Sequence, residues 1–187
     1  MVKNSIHEAR IQTYFKDAAK DLIRAEGVQV VTARNVAERA GYSYATLYNY
    51  FKDIRNLIFS CVEDFMQECH DFVSQGIKGK NPGKERLIAI NQNYAKFFVQ
   101  YPGIFDLLYV EKLSTMASNK SDIRSVENFL YRLTLEDMNI LQIDEMSIEI
   151  HKFAIHGLLV SYFNRRTVMD YKELMEKIEE ITTRIID

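Results

Sequence analysis

Residues 42–50 read Tyr-Ser-Tyr-Ala-Thr-Leu-Tyr-Asn-Tyr, six hydroxyls and one amide within nine positions. The chemistry on offer is recognition rather than bond making. Hydroxyls bond phosphate oxygens or base edges, an amide reads adenine, and the methyl of Ala45 or Thr46 can touch the methyl of thymine. A nucleophile elbow is approached only at Gly41-Tyr42-Ser43-Tyr44-Ala45. That motif needs a strand before its serine and a glycine where Ala45 stands. None of the four histidines follows a Glu by three positions, where Asn4, Gln67, Ile148 and Phe153 stand. H-x-x-x-H, C-x-x-C and a glycine-rich phosphate loop are also missing, so no enzyme, metal site or cofactor is expected. His70, beside Cys69 and near Glu63 and Asp71, reads as cover for a helix surface more readily than as a metal site. Cys61 and Cys69 lie eight apart on one expected helix, about 12 Å, too far for a disulfide and read as reduced.

Positioning the hydroxyl-rich stretch requires two short helices and a tight turn. Thr32 is a candidate N-cap. Val36, Ala37 and Ala40 form a small apolar stripe at helical spacing. Gly41 falls where a helix ends in the left-handed region, and Ser43 is a second candidate cap. Leu47 and Phe51 anchor the second helix. The layout fits a helix-turn-helix, whose second helix enters a major groove. A tyrosine-rich surface hairpin is the competing reading.

Gly27, Val31-Thr32, Val36-Ala37, Ala40-Gly41, Ser43, Leu47-Tyr48 and Phe51 resemble the N-terminal domain of the tetracycline-repressor (TetR) family, without a gap from Ile6 to Leu57. The resemblance implies a three-helix DNA-binding domain in which the Ser-x-x-x-Leu-Tyr segment is the recognition helix. It places Thr32 and Arg34 near backbone phosphates, and Tyr48 at another. Tyr42, Tyr44, Ala45, Thr46 and Asn49 would face bases, with Ser43 and Tyr50 beside them, and Leu47 and Phe51 would be core. One position departs. The family usually carries a lysine three residues past the phenylalanine, close to a phosphate, and here Ile54 stands there. Lys52 and Arg55 flank it as substitutes.

Composition agrees. A chain of 187 residues with seven Gly, two Pro and no strand-like alternation is expected to be all-α. Net charge is −2, unevenly spread. Residues 1–60 hold nine Lys/Arg against six Asp/Glu, and the rest fifteen against twenty. A mildly basic head suits a modest phosphate footprint that gains from two heads binding together. No run of about 18 apolar residues is present, so no membrane span is expected. Residues 1–8 lack an apolar signal core, so a cytoplasmic location is expected.

The coarse pattern predicts about nine helices, near 6–26, 33–40, 44–51, 54–75, 85–101, 103–117, 122–141, 145–166 and 170–186. Residues 1–53 form the expected helix-turn-helix domain and 54–187 a helical ligand-binding and dimerisation domain. Aromatics at helical spacing from 85 to 133 read as plain core, or, by resemblance, as the lining of a small-molecule site. Its candidate lining is Asn91, Tyr94, Phe98, Tyr101, Tyr109, Phe129 and His151, suited to an apolar or aromatic effector of unknown identity. The last two helices carry apolar stripes that bury within the chain or, by resemblance, join a second copy in a four-helix bundle. The candidate interface is Phe153, Gly157, Leu158, Ser161, Leu174, Ile178 and Ile181. The resemblance thus implies a homodimeric repressor on a near-palindromic duplex operator. An architectural DNA-binding protein of the same fold, without an effector, is the alternative.

Overall fold

The computed structural model describes residues 2–116, 120–165 and 168–186. Met1 and the helix ends expected at 117 and 166 lie outside them. Every regular element among the described residues is helical, as composition requires. In chain order the α-helices are α1 (Val2–Glu26), α2 (Ala33–Ala40), α3 (Tyr44–Leu47), α4 (Ile54–Ser60), α5 (Val62–Gly76), α6 (Lys84–Gln100), α7 (Pro102–Phe105), α8 (Lys120–Glu127), α9 (Phe129–Ile140), α10 (Glu145–Phe163) and α11 (Tyr171–Arg184). Short 3-10 turns at Val28–Val30 and Leu113–Thr115, and a π-helical turn at Asp106–Val110, fill the gaps.

Eleven α-helices among the described residues stand against the nine expected: three predicted helices are interrupted, and two of these interruptions add an α-helix. The first divides at Cys61. There the Ser60 hydroxyl donates to Leu57 O at 2.7 Å and the Cys61 thiol to the same carbonyl at 3.4 Å. Both compete for a carbonyl that the helix ladder would otherwise use alone. The second passes from α7 into the π-helical turn. The third divides at Asn128, whose backbone sits at φ −96°, ψ 11°. Helix starts are fixed by side chains that pair otherwise orphaned N–H groups. Asp53 accepts from Asn56 N at 2.7 Å, Asp144 from Ser147 N at 3.1 Å, and Asp170 with Glu173 completes a reciprocal capping box on α11.

The chain forms two compact units. One holds Met1–Gln67 and Tyr101–Val126, the other Glu68–Gln100 and Glu127–Asp187. In the first, α1 packs on α2, α4 and α7. Phe15, Ile23, Leu47, Leu57, Phe65 and Ile104 lose all accessible surface there. Lys16 and Lys20 reach Asp64 at 2.9 and 3.4 Å and tie α1 to α5. Backbones approach closely at Gly103, where an added Cβ would lie 2.1 Å from Ile23 O and 3.0 Å from Gly27 Cα.

In the second unit α6 packs on α11 and α9, and α10 on α11 and α9. Tyr94 and Phe98 meet edge to face at 4.8 Å, with Phe129 6.2 Å from Tyr94. Leu174 and Ile178 have no accessible surface within their own chain. Both are expected at a subunit interface, and within this chain they pack inward. Asp137 is also fully buried. Its carboxylate accepts from Arg86 Nε at 3.0 Å, Arg86 Nη2 at 2.8 Å and Gly83 N–H at 2.7 Å.

Replacing Asp137 leaves the Gly83 N–H unpaired and the largely buried Arg86 guanidinium with Glu136 as its one remaining carboxylate among the described residues. Asp137→Ala is expected to cost about 3 kcal/mol or more. Asp137→Asn, which keeps an acceptor for Gly83, is expected to cost less. Urea midpoints at constant m measure both.

Candidate nucleic-acid interface

The interface is assembled from three local devices. Thr32 Oγ1 accepts from Asn35 N at 3.1 Å, and the Asn35 amide donates to Val30 O at 2.8 Å, which fixes the start of α2. Gly41 ends α2 in the left-handed region at φ 76°, with the Tyr42 N–H donating to Ala37 O at 2.9 Å. Ser43 Oγ accepts from Thr46 N at 3.1 Å and lies 2.9 Å from Thr46 Oγ1. The expected helix over 44–51 is α-helical only at Tyr44–Leu47. It then tightens, with Asn49 N donating to Thr46 O and Tyr50 N to Leu47 O. The tighter winding turns Tyr50 and Phe51 toward Phe15, each ring 6.4 Å from it.

Leu47 is fully buried and Phe51 nearly so, which leaves the rest of the segment outward. Tyr44 is 63% and Tyr48 50% exposed. Thr32, Arg34, Ser43, Ala45, Asn49, Lys52 and Arg55 are exposed, while Tyr42, Thr46 and Tyr50 are half-buried. The Ser43 hydroxyl is occupied as a cap. Tyr42 is held between Phe15 at 5.5 Å and Tyr14 at 6.3 Å, the latter stacked at 25°. Tyr14 was not singled out from sequence. Its part comes from a contact across the fold, which no local spacing announces.

Charge is more selective than the count implies. Asp64 takes Lys16 and Lys20, and Asp21 lies 3.6 Å from both Arg24 and Arg39. Arg34, Lys52 and Arg55 form no ion pair among the described residues; Lys52 and Arg55 follow the recognition segment and Arg34 lies in the first turn of α2. Ile54 is half-buried between the last two.

An exposed short helix, capped by serine after a glycine turn and seated on an all-helical unit, defines a helix-turn-helix protein. Residues 16–61 match the model of the bacterial regulatory proteins, tetR family. Over that segment, about a quarter of the chain, the sequence is similar to the DNA-binding part of the TetR family. It is 28% identical over 103 residues to the "Fatty acid metabolism regulator protein" of Bacillus subtilis (strain 168). That match spans 55% of this chain and 52% of the relative, about half its length. A TetR transcriptional regulator from Rhodococcus sp. RHA1 shares the fold at TM-score 0.68 and 16% identity, over 95% of this chain and 97% of that one. The fatty acid degradation regulator of Bacillus halodurans does so at TM-score 0.65 and 16% identity, over 94% of each chain. No helix among the described residues is long and apolar enough to cross a membrane.

The seven candidate effector residues do not fall in one unit. Asn91, Tyr94, Phe98, Phe129 and His151 are buried in the second. Tyr101 and Tyr109 are half-buried in the first, Tyr109 packing on Phe105 at 5.3 Å. The Asn91 amide donates to Leu87 O at 3.0 Å and to Thr182 Oγ1 at 3.2 Å, while the Thr182 hydroxyl donates to Ile178 O. Among the described residues, Asn91 Oδ1 and His151 Nε2 are buried without a hydrogen-bond partner. On α10, Phe153 is 61% exposed, Gly157 is open, and Leu158 and Ser161 are half-buried; Ile181 on α11 is also half-buried. Met146 and Ile150, missed in the sequence, are 64% and 56% exposed. Counting back from Phe153 at helical spacing would have found them.

Burial pushes His151 down to about 4, and burial, then Lys152 and His151, push His156 down to about 4. His156 Nε2 lies 2.8 Å from the Tyr94 hydroxyl. Both imidazoles are neutral when folded, whereas the unfolded chain protonates them near 6.5. The unfolded state then binds more protons, so stability is fully present above pH 6.5 and falls as pH drops toward 4. Urea midpoints measured across that window should decline with acid, and His151→Gln should flatten the decline.

Proposed function

We propose that this chain is a sequence-specific DNA-binding transcription regulator acting in the cytoplasm, a homodimeric repressor that an apolar or aromatic effector releases from its operator. Residues 1–53 read the duplex, and 54–187 bind the effector and the second copy. The observation that carries the reading is the division of the recognition segment. Leu47 and Phe51 are buried, while Tyr44, Tyr48 and Asn49 are exposed, as are Arg34 on α2 and Lys52 and Arg55 just after the segment. The apolar pair seats the helix, the free groups suit base edges and phosphates, and Ser43 holds the N-terminal end.

Dimerisation is supported by the outward stripe of α10. Met146, Ile150, Phe153 and Gly157 recur at helical spacing without cover from their own chain. A two-fold pair of such chains sets two recognition helices about 34 Å apart, matching a near-palindromic site. The effector is supported by Asn91 Oδ1 and His151 Nε2, buried without a hydrogen-bond partner among the described residues in a largely apolar core. The names of the two Bacillus proteins favour an effector with a long apolar part. An effector that binds better when the heads are splayed weakens DNA binding by the same factor.

Thr46→Ala and Tyr48→Ala should each weaken binding to a duplex enriched from a random pool by the wild-type chain, by about 1–3 kcal/mol per lost contact. Helicity and sedimentation should not change. Unchanged affinity in both removes the recognition segment. Mapping of bound sites in cells should find one or a few promoters, and many scattered sites would favour the architectural alternative. Phe153→Glu should yield monomers by sedimentation equilibrium, and a dimer that survives it displaces α10 from the interface.

A further inference from the structure

Arg10 and Tyr14 stand one turn apart on α1, at i and i+4, so they share a face. Arg10 is exposed and makes no ion pair among the described residues. Tyr14 is 49% exposed although its ring stacks on Tyr42 at 6.3 Å and 25°. Tyr42 is the residue before Ser43, which caps α3. The stack therefore sets the Tyr14 phenol beside the N-terminal end of the recognition segment, with Arg10 one turn back on the same face of α1.

Resting on the DNA-binding reading above, we infer that α1 supplies part of the interface itself: Arg10 and the Tyr14 hydroxyl take the sugar–phosphate backbone that borders the groove occupied by α3. Backbone rather than bases is the target for a geometric reason. A side chain beside the end of a helix lying in the major groove meets the strand at the groove's edge. The residue types agree, since Arg pairs with phosphate oxygens and a phenol donates to them. The cations that follow Tyr14 on α1 do not compete for this role, because Lys16 and Lys20 are held by Asp64 and Arg24 by Asp21. Asp17, exposed one turn beyond Tyr14, marks where the face stops suiting an anion.

The test uses the full chain, a duplex enriched by it from a random pool, and an unrelated duplex of equal length, titrated across potassium chloride concentrations. Arg10→Ala should weaken both duplexes alike and lower the slope of log K against log salt by about one. Tyr14→Phe, which keeps the stack and removes the hydroxyl, should weaken both several-fold with an unchanged melting temperature. An unaltered salt slope in Arg10→Ala overturns the inference. So does wild-type binding by Tyr14→Phe, which reduces Tyr14 to a cover over Tyr42. If the wild-type chain enriches no duplex, or Thr46→Ala and Tyr48→Ala bind as wild type, the DNA-binding reading fails first, a result these arms distinguish.

Discussion

The first unit depends on where Phe15 sits. It has no accessible surface, and three rings that set the attitude of the recognition segment converge on it: Tyr42 before the helix, Tyr50 and Phe51 after it. A helix of four residues has too few hydrogen bonds to hold its own direction. Here its direction is borrowed from α1 through aromatic contact at both ends. The polar residues between those ends are thereby released from structural duty, apart from Ser43 and its partner Thr46. Tertiary packing thus makes a hydroxyl-rich segment available to a ligand.

Electrostatics follow the same economy. The head carries more basic than acidic residues, yet Asp64 and Asp21 engage four of its cations. Among the described residues, Arg34 on α2 and Lys52 and Arg55 just after the recognition segment are left without an ion pair. What orients the unit toward a polyanion is this subtraction rather than the total. Exposed pairs of this kind contribute little to stability. Their consequence is directional.

The turn was largely legible in the sequence, because each of its parts acts over a few residues. Thr32, Gly41 and Ser43 do what their types and spacing imply, and Leu47 and Phe51 go inward. Elements governed by packing were less legible. Periodicity in α11 shows which side chains are hidden but not what hides them, and Leu174 and Ile178 prove to be covered by their own chain. The break at Cys61 depends on two side chains competing for one carbonyl, and the π-helical turn at Asp106–Val110 leaves no mark in residue type. Tyr14 was invisible for a different reason: its neighbour Tyr42 is 28 positions away in sequence. The partition of 101–126 with the N-terminal helices could not be read from spacing either.

Gly103 carries an evolutionary consequence. Every other amino acid begins with a carbon that this joint cannot house, since the carbonyl of Ile23 and the backbone of Gly27 already occupy the space. Drift at position 103 is therefore closed unless α1 is displaced along with it. Lineages descended from this chain can vary the tyrosines that face outward and retune what they recognise, while this one hydrogen in place of a methyl holds the frame to which those tyrosines are fastened.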